Sequence, residues 1–301
     1  EAVTVTGTPQ LTLETGSTVA DAVVDYSGGS DNILNFMYTV VEGHSSSDLD
    51  YKATTSLALN SGSIKAVDDN SDATLTLAAP GSNGSLGEAK NYVIDGVKPT
   101  ITGTTIASNN STISVTLSEA VYDTNGGSGA LEVGDFALSI SGGVATVAAT
   151  PSSISISGNV YTLGLTLTGT PNGSETLTVN PASSSIYDAV GNAASTTQSN
   201  NTVTLNDQTA PTISAIATTA LSWGAVLNAT EDNSDGTVTV TTVGAEDGQT
   251  VTITLNSATY TGSVSSNSTT VTITAAGLQA LTDGSSYTLT ADVSDAAGNA
   301  A

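Results

Sequence analysis

Residues 175–194 read ETLTVNPASSSIYDAVGNAA. The first part alternates, with Thr176 and Thr178 on one side and Leu177 and Val179 on the other. That is the period-2 pattern of a half-buried strand. The same alternation marks Ser114–Leu117, Tyr161–Leu167, Thr237–Val243, Val251–Leu255, Thr270–Thr274 and Tyr287–Val293. Thr outside with Val, Ile and Leu inside suits an antiparallel sheet with one wet face. Helical periodicity is confined to Ala275–Leu281, two turns at most. Turn signals stand at Asn83-Gly84, Asn172-Gly173 and Asp283-Gly284. The expected class is all-β, with short strands.

The tail of the opening stretch repeats. Tyr187-Asp188-Ala189-Val190-Gly191-Asn192-Ala193-Ala194 returns as Ser294-Asp295-Ala296-Ala297-Gly298-Asn299-Ala300-Ala301. Lys98-Pro99-Thr100-Ile101 returns as Ala210-Pro211-Thr212-Ile213, each time after an acidic loop. Each proline opens a strand and stiffens the crossing, as at a domain junction. The expected domains are 1–98, 99–210 and 211–301. Glu1-Ala2-Val3 matches Glu119-Ala120-Val121, which follows two strands in the middle domain. The first domain is therefore expected to lack its first strands and the third its last, as in a window on a longer tandem array.

Composition narrows the function classes. The 301 residues carry 28 Asp+Glu against 4 Lys and no Arg, a net charge of −24. Such a chain has little with which to neutralise phosphates, so nucleic-acid binding is not expected. No apolar run reaches the roughly 18 residues of a membrane helix, so no membrane insertion is expected in this segment. Without cysteine there is no disulfide frame, thiolate metal site or thiol nucleophile. The 38% apolar content, in alternating order, argues for folding rather than disorder.

At these motifs the sequence resembles the bacterial Ig-like tandem repeats of giant cell-surface proteins and adhesins. The third domain carries the resemblance in Ala245-Glu246-Asp247-Gly248-Gln249-Thr250-Val251 and in Leu281-Thr282-Asp283-Gly284 through Asn299. The middle domain carries it in Ser118-Glu119-Ala120-Val121-Tyr122. The first domain shows Leu13-Glu14-Thr15-Gly16, Asp48-Leu49-Asp50-Tyr51 and Gly84-Ser85-Leu86-Gly87. The resemblance implies tandem Ig-like β-sandwich domains in long extracellular fibres, some rigidified by calcium. It implies no ligand, because the fold hosts many functions.

On such a sandwich, strand B runs near Ser111–Leu117 and strand F over Glu175–Val179, so the loops that follow them share one end. Asp95, Glu119, Asp123, Asp188 and Asn192 then converge on the first junction, a set of oxygen ligands suited to calcium. The second junction repeats the set with Asp207, Glu246, Asp247, Asp295 and Asn299. A half-site is expected at Glu1, Asp68, Asp69 and Asn70.

Other constellations read as structure. Asp48/Asp50 and Glu231/Asp232 are carboxylate pairs, but glycosidases also tend to offer aromatic platforms, and only 4% of residues here are aromatic. His44 lies in a polar loop and reads as a surface histidine, Trp223 as a half-buried packing residue, and Gly126–Gly129 as a flexible connection. No enzyme is expected. The expected function is a structural spacer of an extracellular or cell-surface bacterial fibre, stiffened by calcium. Its partners are neighbouring domains of the same chain, with host or surface glycans engaged elsewhere. The alternatives are a carbohydrate- or receptor-binding module, for which Tyr122 and Tyr187 are the nearest aromatics, and a virion fibre or capsid-decoration protein.

Overall fold

A computed structural model describes residues 1–17 and 19–301. The chain is all-β, built from several small antiparallel sheets. Among the described residues, buried apolar side chains gather into three clusters, within residues 11–94, 101–205 and 213–293.

The middle cluster lies between two sheets. One runs Ile154–Ser157, Val160–Gly164, Thr112–Leu117, Ile101–Ile106 in spatial order; the other runs Phe136–Ser141, Thr176–Pro181, Thr202–Thr204. The alternating sequence explains the packing. Ile113, Val115 and Leu117 point in from the first sheet, and Phe136, Leu138, Leu177 and Val179 from the second, all buried. Burying each such side chain contributes about 1.5–3 kcal/mol. The third cluster repeats the plan. Val238, Val240, Val271 and Ile273 come from the sheet containing Gly236–Val243 and Ser268–Ile273. Val251, Ile253 and Leu255 face them from Thr250–Leu255.

Two expected strands differ in the structure. Tyr161–Leu167 divides into Val160–Gly164 and Leu167–Thr168, which pair with different partners. The break falls at Gly164, where Ser152 and Ser153 occupy the space a Cβ would need. The strand expected at Tyr287–Val293 spans Leu289–Asp292. The Tyr287 hydroxyl instead accepts the Thr282 N–H at 2.7 Å and ties the preceding turn. The helical signal yields Ala275–Gln279, capped by Thr274 and anchored by buried Leu278.

The region before Pro99 has a smaller core of Leu13, Val24, Leu49 and Tyr51. Two of its three motifs meet at one carboxylate, and the third donates from the Glu14 N–H to the Asp50 main-chain carbonyl at 2.9 Å. Asp50 Oδ1 accepts the N–H groups of Tyr51 (2.8 Å) and Leu86 (3.2 Å), and Oδ2 accepts that of Gly81 (3.0 Å). Asp48 accepts the Tyr92 N–H, and Glu231 accepts the Asn228 N–H. These carboxylates order their own loops. His44 differs from its reading as a surface residue. It is buried, stacked 5.8 Å from the Tyr38 ring, with the Tyr38 hydroxyl 2.9 Å from Nδ1. Among the described residues, no helix is long and apolar enough to cross a membrane.

Glu175 is the corresponding hub of the middle core, fully buried at the start of its strand. Oε1 accepts the N–H groups of Val144 (2.8 Å) and Ala145 (3.1 Å), and Oε2 that of Asn172 (3.0 Å). Burial pushes its carboxyl up, but these donors outweigh burial and hold the pKa below the usual value. A depressed folded-state pKa stabilises above the unfolded-state pKa and ceases to do so as pH falls through the folded-state value. Glu175→Ala strands three buried donors and should cost about 3 kcal/mol at neutral pH. Urea unfolding followed by circular dichroism should show that loss shrinking in acid; a loss independent of pH would contradict the assignment.

Candidate metal centre

The first junction is built from three segments. The linker arrives as Ile94–Asp95, paired with Ser45–Ser46. Gly96 N–H donates to the His44 carbonyl, and Gly43 N–H to the Gly96 carbonyl, both at 2.8 Å. These bonds fix Asp95 to the region before it. From the other side, Glu119 follows the strand Thr112–Leu117, and Asp188 lies in the loop after Thr176–Pro181. The Tyr122–Tyr187 bridge aligns those two loops.

One oxygen each from Asp95, Glu119 and Asp188 lies within 4.8 Å of the others. Asp188 is buried, whereas Asp95 and Glu119 are half-buried. Asp188 is held by its own loop. Oδ1 accepts the N–H groups of Val190 (2.9 Å), Gly191 (2.7 Å) and Asn192 (2.8 Å). Gly191 makes this turn possible, with φ of +101° and the Asn125 carbonyl where a Cβ would project. Asp95 Oδ1 accepts the Val97 N–H at 3.1 Å.

Two unit charges this close repel by about 3 kcal/mol at an effective dielectric of 20. Glu119 registers the crowding: burial first, then the charges of Asp188 and Asp95, push its carboxyl above the usual range. Three hard oxygens drawn from both sides of a junction can hold a divalent cation, with backbone carbonyls and water filling its shell.

The remaining sequence-predicted residues are placed as follows. Asp123 lies outside the three-carboxylate group. It sits against Gly129, its Oδ1 buried without a donor, and its charge adds to the burial that raises Asp135. Asn192 reaches the junction through its carboxamide nitrogen, 3.1 Å from the Asp95 carbonyl and 2.7 Å from Asp188 Oδ2.

At the second junction, Asn299 Nδ2 lies 2.8 Å from Asp295 Oδ2 and 3.3 Å from the Asp207 carbonyl. Glu246 Oε2 accepts the Ala296 N–H at 2.8 Å. The Asp207 side chain accepts the Thr209 N–H, and that of Asp247 accepts the Ser266 N–H. Burial pushes the Asp295 carboxyl up, but hydrogen bonds from the Asn299 side chain and from the loop backbone hold it below the usual range. Glu1, Asp68, Asp69 and Asn70 are exposed, and Asp69 accepts the Ser71 N–H.

Sequence reasoning missed the ion pair that flanks the first junction, Lys98 to Glu42 at 2.7 Å. Nothing in the spacing of these residues signals it. Both side chains are well exposed, so the pair adds little stability.

No family model matches the sequence, and no curated protein matches it. Among solved structures the chain is similar to one described as giving structural insight into host cell surface retention of a 1.5-MDa bacterial ice-binding adhesin. The identity is 18%, the alignment covers 100% of this chain and 88% of that one, and the TM-score is 0.29. At that score the likeness carries no functional argument.

The raised pKa of Glu119 has a definite sign. Its contribution to stability is intact below the unfolded-state pKa and lost as pH rises through the higher folded-state value. In the presence of chelator, Glu119→Gln should therefore melt above the wild type at neutral pH, and the two should converge in acid. Thermal melts across that range check this. A variant that melts lower at neutral pH would show that the three carboxylates do not repel.

Proposed function

We propose that this chain is a structural spacer of tandem Ig-like sandwich domains, part of a long extracellular bacterial fibre or adhesin, whose junctions are stiffened by calcium. The observation that carries this reading is the convergence of Asp95, from one side of Pro99, with Glu119 and Asp188 from the other.

The strand order supports the Ig-like assignment. With the short Thr146–Val147 and Leu167–Thr168 pair set aside and the other strands lettered along the chain, the two larger middle sheets run D-E-B-A and C-F-G. That matches the ABED and CFG sheets of a constant-type immunoglobulin sandwich. The three apolar clusters, divided near Pro99 and Pro211, support domains at 1–98, 99–210 and 211–301.

Calcium suits the first junction because it takes six to eight oxygens in flexible geometry, whereas magnesium demands a near-ideal octahedron and releases water reluctantly. Glu119 and Asp188 would bind from the middle domain and Asp95 from the linker. The ion would relieve the repulsion among them and stiffen the crossing at residues 96–98. The mechanical consequence is a stiffer rod. A chain with net charge −24 also repels itself along its length, which favours extension.

Extracellular modules often bind calcium with Kd of about 10⁻⁴–10⁻³ M. At ten times Kd, one site adds about 1.4 kcal/mol. For a domain of this size that raises Tm by about 5–10 °C. Calorimetry and small-angle scattering during a calcium titration, with magnesium and chelator controls, test this. The expected result is a higher Tm and a longer particle with calcium and little change with magnesium. Equal responses to both ions, or none beyond salt screening, would overturn the calcium assignment.

A further inference from the structure

We propose that Asn192 and Asn299 are latches that lock each junction without an ion. The two asparagines have the same surroundings in different parts of the chain. Each backbone N–H donates to Oδ1 of the aspartate four residues earlier, at 2.8 Å in both cases. Each side-chain nitrogen donates to Oδ2 of that aspartate, at 2.7 Å from Asn192 and 2.8 Å from Asn299. The same nitrogen reaches out of its loop to a linker carbonyl, Asp95 at 3.1 Å or Asp207 at 3.3 Å. Those carbonyls belong to equivalent residues, each the fourth before a strand-opening proline.

The chemistry fixes the orientation. A carboxylate oxygen and a carbonyl oxygen are both acceptors, so only the NH₂ end of the amide can face them. The carboxamide therefore acts as a donor bridge rather than an oxygen ligand. Its anchor is rigid, because Asp188 and Asp295 are buried and held by their own loops. Its target is rigid too. Asp95 is fixed by the pairing of Ile94–Asp95 with Ser45–Ser46. The segment after Asp207 is tied to the middle core by Gln208 N–H and the Thr209 hydroxyl, both donating to the Pro171 carbonyl at 2.9 Å. Asn206 and Asn110 exchange further bonds just before it. One short side chain thus joins two ordered bodies, and little entropy is lost in closing the contact.

The latch rests on the spacer reading but not on the ion. Calcium would act on a junction already in register, with the donor bridge setting the angle and the cation stiffening it.

Double electron–electron resonance on the full chain tests this, since the absence of native cysteine makes paired labels unique. Asn83→Cys with Ser157→Cys spans the first junction, and Ser157→Cys with Thr259→Cys the second. In chelator the wild type should give narrow distance distributions at both. Asn192→Ala should raise the open population at the first junction about five-fold, the typical worth of one net hydrogen bond, and leave the second unchanged. Asn299→Ala should do the reverse. That site-by-site pattern is one a general loss of stability would not produce. Glu119→Gln, which spares the latch, should stay narrow in chelator while losing any response to calcium. Should Asn192→Ala fail to fold, Asn192→Ser and Asn299→Ala carry the same test. A wild type already broad in chelator, or asparagine variants no broader than the wild type, would overturn the latch. Broadening in the asparagine variants with no calcium response at any position would uphold the latch and remove the ion.

Discussion

Carboxylates outnumber cations seven to one in this chain, 28 to 4, and the structure is organised around that imbalance. The lysines are already engaged. Lys52 pairs with Asp21, Lys65 with Asp72 and Lys98 with Glu42, while Lys90 lies over the Tyr92 ring. A carboxylate that enters the interior must therefore turn mainly to backbone N–H groups, and burial without such donors is costly. Asp50, Glu175, Asp188 and Asp295 meet this condition in the same way. Each is buried, and each collects N–H groups from turns that glycines allow to close. The charge that composition makes a liability becomes the fastener of the loops.

In the proposed tandem arrangement the junctions extend that logic from loops to neighbouring domains. Asp188 has its Oδ1 filled by its own loop, and Asn192 joins the other oxygen to the incoming linker. Asp295 and Asn299 do the same at the second crossing. Where donors run out, charge accumulates. Glu119, pressed between burial and two neighbouring carboxylates, sits where backbone amides do not balance the field. In the proposed spacer that deficit is the ion's place, so loop order, junction angle and cation response share one cause.

Much of this was legible in the sequence, and the limits have physical reasons. Strands buried on one face declare themselves by period, as Leu177 and Val179 do, because burial acts on each residue separately. The recurrence of Asp188–Asn192 at Asp295–Asn299 was also visible, and the structure gives both copies the same bonds. Direction was not legible. Asp123 lies between Glu119 and Asp188 in sequence, yet faces Gly129 and Asp135, since a loop carboxylate can turn to any available side. Asn192 reads as an oxygen donor in composition and acts as a nitrogen donor in space. Glu175 looks like an ordinary strand-edge acid until the turns at Asn172 and Val144 close over it. His44 is buried because Tyr38 covers it, a contact no local pattern encodes.

The central claim is that the carboxylates of the first junction form one cation site. Anomalous diffraction from crystals grown with calcium tests it most directly. The account predicts a calcium peak bounded by Asp95, Glu119 and Asp188, with Asn192 still donating to the Asp95 carbonyl. A map with no peak there, and the three carboxylates turned apart into solvent, would contradict it.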